Sequence, residues 1–272
     1  MKLKELPVSL WHTLKLKLIS PSKIIYANGK EYPVVVSLTT IAYRLPKVHL
    51  VIKNILSQDL RPQHIVLWLN EGLSNQIPNS LKMLEGDIFK IKFTTLHCPH
   101  KKLIHSLELY KNLPIATCDD DVIYDRNWLF SLVKTHQNHP NEIIAHKVRC
   151  IKLKNDGSLL PYKYWNCSEE ENSKYWLPIG EGGVLYPAGC FSDLVMNEKL
   201  FLKLAPKADD LWFKAVALAE NIACRKVEIP VKKPIPIIGT QKISLKKENV
   251  GEDKNVVQWK NLEAHFNFKL TE

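Results

Sequence analysis

Short apolar runs alternate with helical stretches through the first half of the chain, and this alternation limits the fold more than any other feature. The runs typical of buried strands are PVVVSLTT at 33–40, HIVLWLN at 64–70, IFKIKFTTL at 88–96 and PIATC at 114–118. Helices are expected from about Pro46, over 101–110, and over 126–138 with Asp125 as its cap. Because strands separated by helices are joined by right-handed crossovers, the sequence predicts a single α/β domain with a mostly parallel central sheet, flanked by helices and Rossmann-like in its first half.

The chain divides into three segments by composition. Residues 1–30 are basic and amphipathic, and 31–153 carry the regular alternation of strands and helices. This alternation is predicted to end with a strand at 142–153, followed by a turn at Asn155-Asp156-Gly157. Residues 154–272 are less regular and end in a basic tail, so we expect them to form the second half of the same domain.

Net charge limits the kinds of partner. Lys and Arg number 38 against 28 Asp and Glu, which gives a formal net charge of +10. A basic surface favours an anionic partner, and nucleic acid, an anionic membrane and phosphorylated small molecules all fit this requirement. The sequence contains no RNP, KH or zinc-finger pattern, so we expect no nucleic-acid partner.

Residues 1–20 form a short basic segment in which apolar side chains lie near helical spacing. Leu10, Trp11, Leu14 and Leu18 make a stripe, while the lysines fall elsewhere on the helix. Two interpretations fit: a helix in a membrane interface and a helix packed on its own domain. No apolar run approaches the ~20 residues that cross a bilayer, and no signal peptide is recognised. We therefore expect a cytoplasmic protein, with peripheral contact to an anionic membrane as one alternative.

Six cysteines are scattered along the chain without a CxxC pair or metal-ligand spacing. In a chain without a secretory signal, this pattern is typical of reduced and mostly buried cysteine. We therefore expect free thiols rather than structural disulfides.

Three consecutive carboxylates, Asp119, Asp120 and Asp121, follow the apolar run PIATC. Ligands of open α/β sheets bind beyond the carboxyl ends of the strands, which is where this triplet should lie. In an extended segment Asp119 and Asp121 would point to one side and Asp120 to the other. Two carboxylates on one side suit Mg²⁺ or Mn²⁺, which would in turn hold the phosphates of a nucleotide. The alternative is a solvated turn rich in aspartate.

Three further motifs carry possible site residues, each with an ordinary structural alternative. Asp209 and Asp210 begin a predicted helix, where one can cap it and the other can act as a general base. The glycine-rich stretch GEGGVLYPAG at 180–189 permits close approach of the backbone to a ligand, or is a plain turn. Lys101 and Lys102 begin a helix and can contact a diphosphate, or are solvated lysines.

Taken together and in chain order, these motifs resemble glycosyltransferases of the GT-A fold, of the bacterial type that builds lipopolysaccharide and capsule. The strand VVVSLTT, which includes Thr39, resembles with Arg44 the first nucleotide-binding strand and loop. CDDDVIYDRNWL resembles the DxD segment of that family, with Asp119 and Asp121 as the outer acids. GEGGVLYPAG resembles its acceptor-side loop, and ADDLW resembles its late acidic motif.

The resemblance implies transfer of a sugar from a nucleotide diphosphate donor, with UDP favoured, to a hydroxyl of a glycan or lipid-linked glycan. Residues 31–153 would bind the donor and 154–272 the acceptor. The resemblance implies that Asp210 is the base of an inverting reaction, with Asp209 beside it, and that Gly182 and Gly183 contact the acceptor. It implies that the donor is bound by Thr39, Arg44, Lys101, Lys102, Asp119 and Asp120. It also implies that Mn²⁺ or Mg²⁺ is bound by Asp119, Asp121 and His265, which is the only histidine after His146.

Two other classes of protein fit parts of the pattern. Another metal-dependent nucleotide enzyme, such as a nucleotidyltransferase, would also need paired acids and basic residues, but it would bind a nucleoside triphosphate productively. A basic nucleic-acid-binding protein would show steeply salt-dependent binding to generic RNA and no binding of a sugar nucleotide.

Overall fold

A central sheet of seven strands organises the computed structural model, which describes residues 5–25, 29–167, 173–241 and 253–267. The strands of this sheet are β1 (Lys30–Thr39), β2 (Leu60–Asn70), β3 (Phe89–Thr94), β4 (Ile115–Thr117), β6 (Ile143–Ala145), β9 (Val184–Tyr186) and β10 (Cys224–Lys226). Their spatial order is β10-β6-β9-β4-β1-β2-β3, and every neighbouring pair is parallel except those that involve β9. The predicted α/β class with a mostly parallel sheet is confirmed.

Two antiparallel pairs of short strands lie outside this sheet. Strand β5 (Val122–Ile123) pairs with β11 (Ile235–Pro236), and β7 (Val148–Cys150) pairs with β8 (Trp176–Pro178). Since β5 begins directly after the aspartate triplet, its partner β11 brings a distant part of the chain next to those carboxylates.

Helices cover both faces of the sheet. They are α1 (Leu6–Leu18), α2 (Pro21–Ile25), α3 (Val48–Leu56), α4 (Asn79–Lys82), α5 (Lys101–Leu109), α6 (Trp128–Asn138), α7 (Glu198–Leu204), α8 (Asp209–Ala219) and α9 (Lys254–Phe266). Successive residues of β1 point to opposite faces, so Val35 belongs to the core cluster that contains α5 and α8, while Val34 and Val36 belong to the cluster that contains α3 and α6. This arrangement buries the β-branched run on both sides. No helix within the described ranges is both long enough and apolar enough to cross a bilayer.

The structure corrects two local predictions. The single strand predicted at 142–153 is divided into β6 and β7, because the chain leaves the central sheet after Ala145 and pairs with β8. Asp125 does not cap the helix that follows: α6 begins later than predicted, at Trp128, and the Asp125 carboxylate accepts the N–H of Asn127 at 3.0 Å in the preceding turn.

The expectation of free thiols is wrong for one pair of cysteines. Cys150 and Cys167 form a disulfide whose Cα atoms lie 5.0 Å apart. The backbone N–H of Cys150 donates to the carbonyl of Trp165 at 3.2 Å, which holds the segment before Cys167 beside β7. Cysteine spacing alone does not reveal this contact. The other four cysteines are free, as expected.

Candidate functional site

The aspartate triplet lies at the carboxyl end of β4, where four segments of the chain meet. Strand β1 ends beside it, α5 and α8 begin near it, and the loop after β11 covers it from another direction. The parallel pairing of β1 and β4 explains the position, because it brings the ends of both strands to the same edge of the sheet.

The three aspartates pair with two different cations. Arg44 binds two of them at once: its Nη1 lies 2.7 Å from Asp120 Oδ1, and its Nη2 lies 2.9 Å from Asp121 Oδ2. Asp119 instead lies 3.4 Å from the Nζ of Lys102. The chain bends at Asp120 and Asp121 rather than continuing as a strand, so the extended conformation from which the positions of Asp119 and Asp121 were predicted is not observed.

Thr40, rather than the predicted Thr39, contacts the triplet. The Thr40 hydroxyl donates to Asp120 Oδ2, whereas the Thr39 hydroxyl donates to the backbone carbonyl of Trp68 at 2.8 Å. Neighbouring residues at the end of a strand point to opposite sides, so only one of the two threonines can face the site. The sequence predicts that Thr39 and Thr40 point to opposite sides of β1, but it does not specify which of them faces the aspartates.

The loop after β11 was missed by the sequence analysis and closes one side of the site. The side-chain amide of Gln241 donates to Asp121 Oδ2 at 2.8 Å, and the N–H of Ile237 donates to the Asp121 carbonyl at 2.8 Å. Arg44 Nε donates to the carbonyl of Thr240 at 3.2 Å. These contacts join residues more than a hundred positions apart, so no local pattern indicates them.

Lys102 is a buried cation between two acidic motifs. Its Nζ lies 3.1 Å from Asp209 Oδ2 and 3.4 Å from Asp119 Oδ1. Burial lowers the pKa of Lys102, but the attraction of Asp209, Asp119 and Asp210 outweighs burial and holds the pKa well above 10.5. The aspartate triplet and the late acidic pair therefore form one electrostatic cluster.

Lys101 does not share this position, although it is predicted as a site residue with Lys102. Both lysines are 6% exposed, but adjacent residues on a helix point about 100° apart. Lys101 forms no ion pair with an acid in the described part of the chain, and burial lowers its pKa while the Cys98 thiol raises it. The structure thus brings one of the two predicted lysines to the carboxylates.

Asp209 and Asp210 differ in environment although they are neighbours. Both carboxylate oxygens of Asp210 accept the N–H of Gly180, at 3.1 and 3.2 Å. Burial and then repulsion from Asp209 raise the pKa of Asp210 to about 8. Burial acts to raise the pKa of Asp209 too, but the attraction of Lys102 outweighs it and the net shift is downward. Asp209 is therefore the ionised member and Asp210 the member that exchanges a proton near neutral pH.

The capping alternative for this acidic pair is not observed. Ala208 precedes α8, and no side chain caps the helix. Asp209 and Asp210 lie in its first turn, where negative charge interacts favourably with the helix dipole.

The glycine-rich loop contacts the site through Gly180 rather than through the predicted Gly182 and Gly183. A Cβ on Gly180 would lie 3.1 Å from both Asp210 Oδ1 and Lys102 Nζ, so a side chain there would crowd the acidic cluster. The Gly182 carbonyl accepts the indole N–H of Trp128 at 2.8 Å. Gly183 has φ +98°, and a Cβ there would lie 2.4 Å from the same indole nitrogen. Gly182 and Gly183 therefore pack on Trp128.

Tyr124 links the triplet to the glycine-rich loop, and it is not among the site residues predicted from the sequence. The N–H of Asp119 donates to the Tyr124 hydroxyl at 2.8 Å, and that hydroxyl donates to the carbonyl of Glu181 at 3.3 Å. Tyr124 is buried, and its hydroxyl holds the two motifs close together through these two hydrogen bonds.

His265 lies apart from the predicted metal ligands. It is exposed near the end of α9, with its ring 5.0 Å from that of Phe266. Across residues 5–25, 29–167, 173–241 and 253–267, no three His, Cys, Asp or Glu side chains are grouped so that they could hold a metal ion. The described residues therefore offer at most two such ligands at any one point.

The charges of the site nevertheless suit a divalent cation. Five carboxylates (Asp119, Asp120, Asp121, Asp209 and Asp210) contact or face two cations, Arg44 and Lys102. Burial, followed by repulsion from Asp120 and Asp119, raises the pKa of Asp121 to about 7. One or two carboxylates with phosphate oxygens are a usual ligand set for Mg²⁺.

Comparison with known proteins gives matches of structure only. No family model matches the sequence, and no curated protein matches it. The similar solved structures include CMP:2-keto-3-deoxy-manno-octonic acid synthetase complexed with CTP, at 11% identity and a TM-score of 0.45, with 75% of this chain and 91% of that one covered. They also include TarS 1–349 from S. aureus in complex with UDP (14% identity, TM-score 0.49, 75% and 59% covered) and 4-diphosphocytidyl-2C-methyl-D-erythritol synthase from Anaerococcus prevotii (11%, 0.46, 86% and 98%). At these identities and TM-scores, the similarities assign no activity to this chain.

Proposed function

We propose that the protein is a metal-dependent glycosyltransferase that moves a sugar from a nucleotide diphosphate donor to an acceptor hydroxyl. One observation carries the proposal: Lys102 joins Asp119 of the triplet to Asp209, next to Asp210, in a single buried cluster. A donor-binding acid and a candidate base must lie close together in such an enzyme, because the donor and the acceptor react at one carbon atom.

The donor would be held at the triplet. Asp119 and Asp121 are the residues that would hold Mg²⁺ or Mn²⁺, and Asp119 is the more accessible, with its side chain 33% exposed. The bound metal would offset the negative charge that develops on the departing diphosphate. Arg44 orients Asp120 and Asp121, and Thr40 fixes Asp120. By resemblance, the donor is a UDP-sugar.

Asp210 would act as the general base. It accepts the proton of the acceptor hydroxyl while the new bond forms between the acceptor oxygen and the anomeric carbon and the bond from that carbon to the diphosphate breaks. A pKa of about 8 leaves part of the population ionised at neutral pH and makes the carboxylate a stronger base than an ordinary aspartate. The N–H of Gly180 and the charge of Lys102 stabilise the ionised form. Such a base favours inversion of the anomeric centre.

The acceptor and the cellular context follow from the resemblance. We propose a hydroxyl of a glycan or lipid-linked glycan as the acceptor, in the synthesis of a bacterial surface polysaccharide such as lipopolysaccharide or capsule. The reaction would take place in the cytoplasm.

A ligand screen separates this function from its rivals. We expect UDP-sugars with Mn²⁺ to raise the melting temperature, and GDP-, CDP- and dTDP-sugars to have smaller effects. Stabilisation by nucleoside triphosphates alone would favour a nucleotidyltransferase. Steeply salt-dependent binding to generic RNA, without binding of any sugar nucleotide, would favour a nucleic-acid-binding protein.

Substitution of the candidate base tests the mechanism. Asp210→Asn should lower the transfer rate by about 10² to 10⁴-fold and leave donor affinity little changed. Asp209→Asn should be milder and should move the pH–rate profile to lower pH, because the loss of its charge removes a repulsion that raises the pKa of Asp210. A near-normal rate in Asp210→Asn would exclude it as the base.

A further inference from the structure

Helix α1 packs on the protein with the opposite polarity to an ordinary surface helix. It buries Ser9 and Thr13 together with Leu16, and it leaves large apolar side chains in solvent. Trp11 is 68% exposed and Leu18 is 85% exposed. A helix that folds only against its own domain places its apolar face inward, so the exposed face of α1 requires another explanation.

The centre of the exposed apolar side of α1 is a continuous stripe, and Leu6, Val8 and Leu10 are exposed to either side of it. Pro7, Trp11, Leu14 and Leu18 follow the spacing i, i+4, i+7 and i+11, which places them on one face of a helix. At about 100° per residue, this stripe lies on the side directly away from the buried residues. All four stripe residues are exposed, so none of them packs into the core of the domain.

Hydrogen bonds fix α1 in this orientation. The Ser9 hydroxyl donates to the carbonyl of Pro236 at 2.5 Å. At the other end of the helix, the Nζ of Lys53 donates to the carbonyls of Leu16 at 3.1 Å and Ile19 at 2.6 Å. Rotating the helix to bury the stripe would break these contacts and would expose Leu16, so the domain presents the stripe outward.

Positive charge borders the stripe. Lys15 and Lys17 are both exposed, and at about 100° per residue they lie on opposite sides of the stripe. The helix contains no Asp or Glu. Packing α1 of a second copy against the stripe would offer these lysines no acidic partner, because the helix has none. A surface with an apolar interior and negative head groups complements both features.

We propose that α1 is a docking surface for an anionic lipid bilayer, on which the helix lies in the interface with the stripe in the acyl boundary. Trp11 and the leucines enter the apolar layer, and Lys15 and Lys17 contact the head groups. The helix does not span the membrane. This interaction does not depend on the proposed glycosyl transfer, and it places the protein on the surface where a lipid-linked substrate would be found.

Vesicle binding by the full-length protein tests the proposal. The protein should co-sediment with phosphatidylcholine vesicles that contain phosphatidylglycerol, and it should bind vesicles of phosphatidylcholine alone more weakly. Each lysine at the surface contributes about fivefold, so Lys15→Gln with Lys17→Gln should weaken binding about 25-fold. Leu14→Glu should weaken it at least about tenfold, because it places a charge in the apolar layer.

A matched control separates the stripe from general effects of a new charge. Leu14 is 47% exposed and Leu202, on α7, is 43% exposed, so Leu202→Glu makes the same change on a different helix. It should bind vesicles as the wild type does. Trp11→Ser gives a second stripe variant, and urea unfolding of each variant checks that the fold is retained.

Fluorescence reports the contact directly. The chain has seven tryptophans, all within the described residues, and Trp11 is the exposed one. Adding anionic vesicles should shift the emission to shorter wavelength, and Trp11→Phe should remove that shift. The proposal is overturned if the wild type does not sediment with anionic vesicles, or if Leu14→Glu and Leu202→Glu sediment equally. It is also overturned if Leu14→Glu dissociates a dimer in the absence of vesicles.

Discussion

Lys102 is the residue whose removal should disturb the acidic cluster most. Lys102→Met keeps most of the apolar stem but removes the cation that lies 3.1 Å from Asp209 and 3.4 Å from Asp119. The carboxylates then remain close together without it, and Asp209 is left buried. Removing one partner of a buried ion pair typically costs about 3–5 kcal/mol of unfolding free energy. Most of this loss comes from Asp209, because the partly exposed Asp119 can be screened by water.

The loss should depend on pH in a defined direction. Lys102 holds the folded-state pKa of Asp209 below 3.8, so the stabilisation from this carboxylate is present above that pH and is lost as the pH falls through the folded-state pKa. The folded-state pKa of Lys102 is raised, so its contribution is present below pH 10.5 and is lost as the pH rises through the higher value. In Lys102→Met, burial of Asp209 is no longer opposed by the cation, so the pKa of Asp209 rises and acidification protonates the carboxylate and removes its uncompensated charge. The difference between wild type and Lys102→Met should therefore be full at pH 7 and shrink towards pH 4.

Urea unfolding at pH 7 and pH 4.5 measures this difference, and Lys101→Met is the matched control. Lys101 precedes Lys102 on the same helix and has the same exposure, but burial lowers its pKa and it forms no ion pair with an acid in the described ranges. Its replacement should change the unfolding free energy by less than about 1 kcal/mol. Equal losses in the two variants, or a loss in Lys102→Met that does not change with pH, would refute the assigned role of Lys102.

The remaining predictions concern the glycine loop and a buried histidine. Gly180→Ala should lower the transfer rate by at least about tenfold, because the new Cβ crowds Asp210, and it should cost only about 1–3 kcal/mol of stability. Gly183→Ala should cost more stability than Gly180→Ala, since its φ is +98° and Trp128 leaves no room; equal unfolding midpoints would contradict this. Burial lowers the pKa of His100 from 6.5 to about 4, so the native state loses stability as the pH falls between those values. His100→Phe should therefore remove about 2 kcal/mol of the stability loss between pH 7.5 and pH 5, measured by urea unfolding; an unchanged pH dependence would exclude His100 as its source.

The sequence by itself determined the elements and the edge of the sheet at which the site lies. The runs around Val35, His64 and Ile91 are strands as predicted, because apolar and β-branched periodicity is a local property that burial on a sheet requires. The position of the aspartate triplet at the end of β4 follows from the order of strands along the chain. The position of Asp209 and Asp210 at the start of α8 was likewise predicted correctly, because an apolar helical repeat directly follows them.

Only the tertiary structure decided which side chains meet. Arg44 binds Asp120 and Asp121, and Gln241 binds Asp121 across 120 positions of sequence. The choice between Thr39 and Thr40 depends on which face of β1 turns towards the triplet, and a period of two does not specify that face. The same holds for α1, where spacing shows a stripe but packing decides whether the stripe is buried. Such contacts depend on the relative placement of distant segments, which is set by the packing of the whole core rather than by any local pattern.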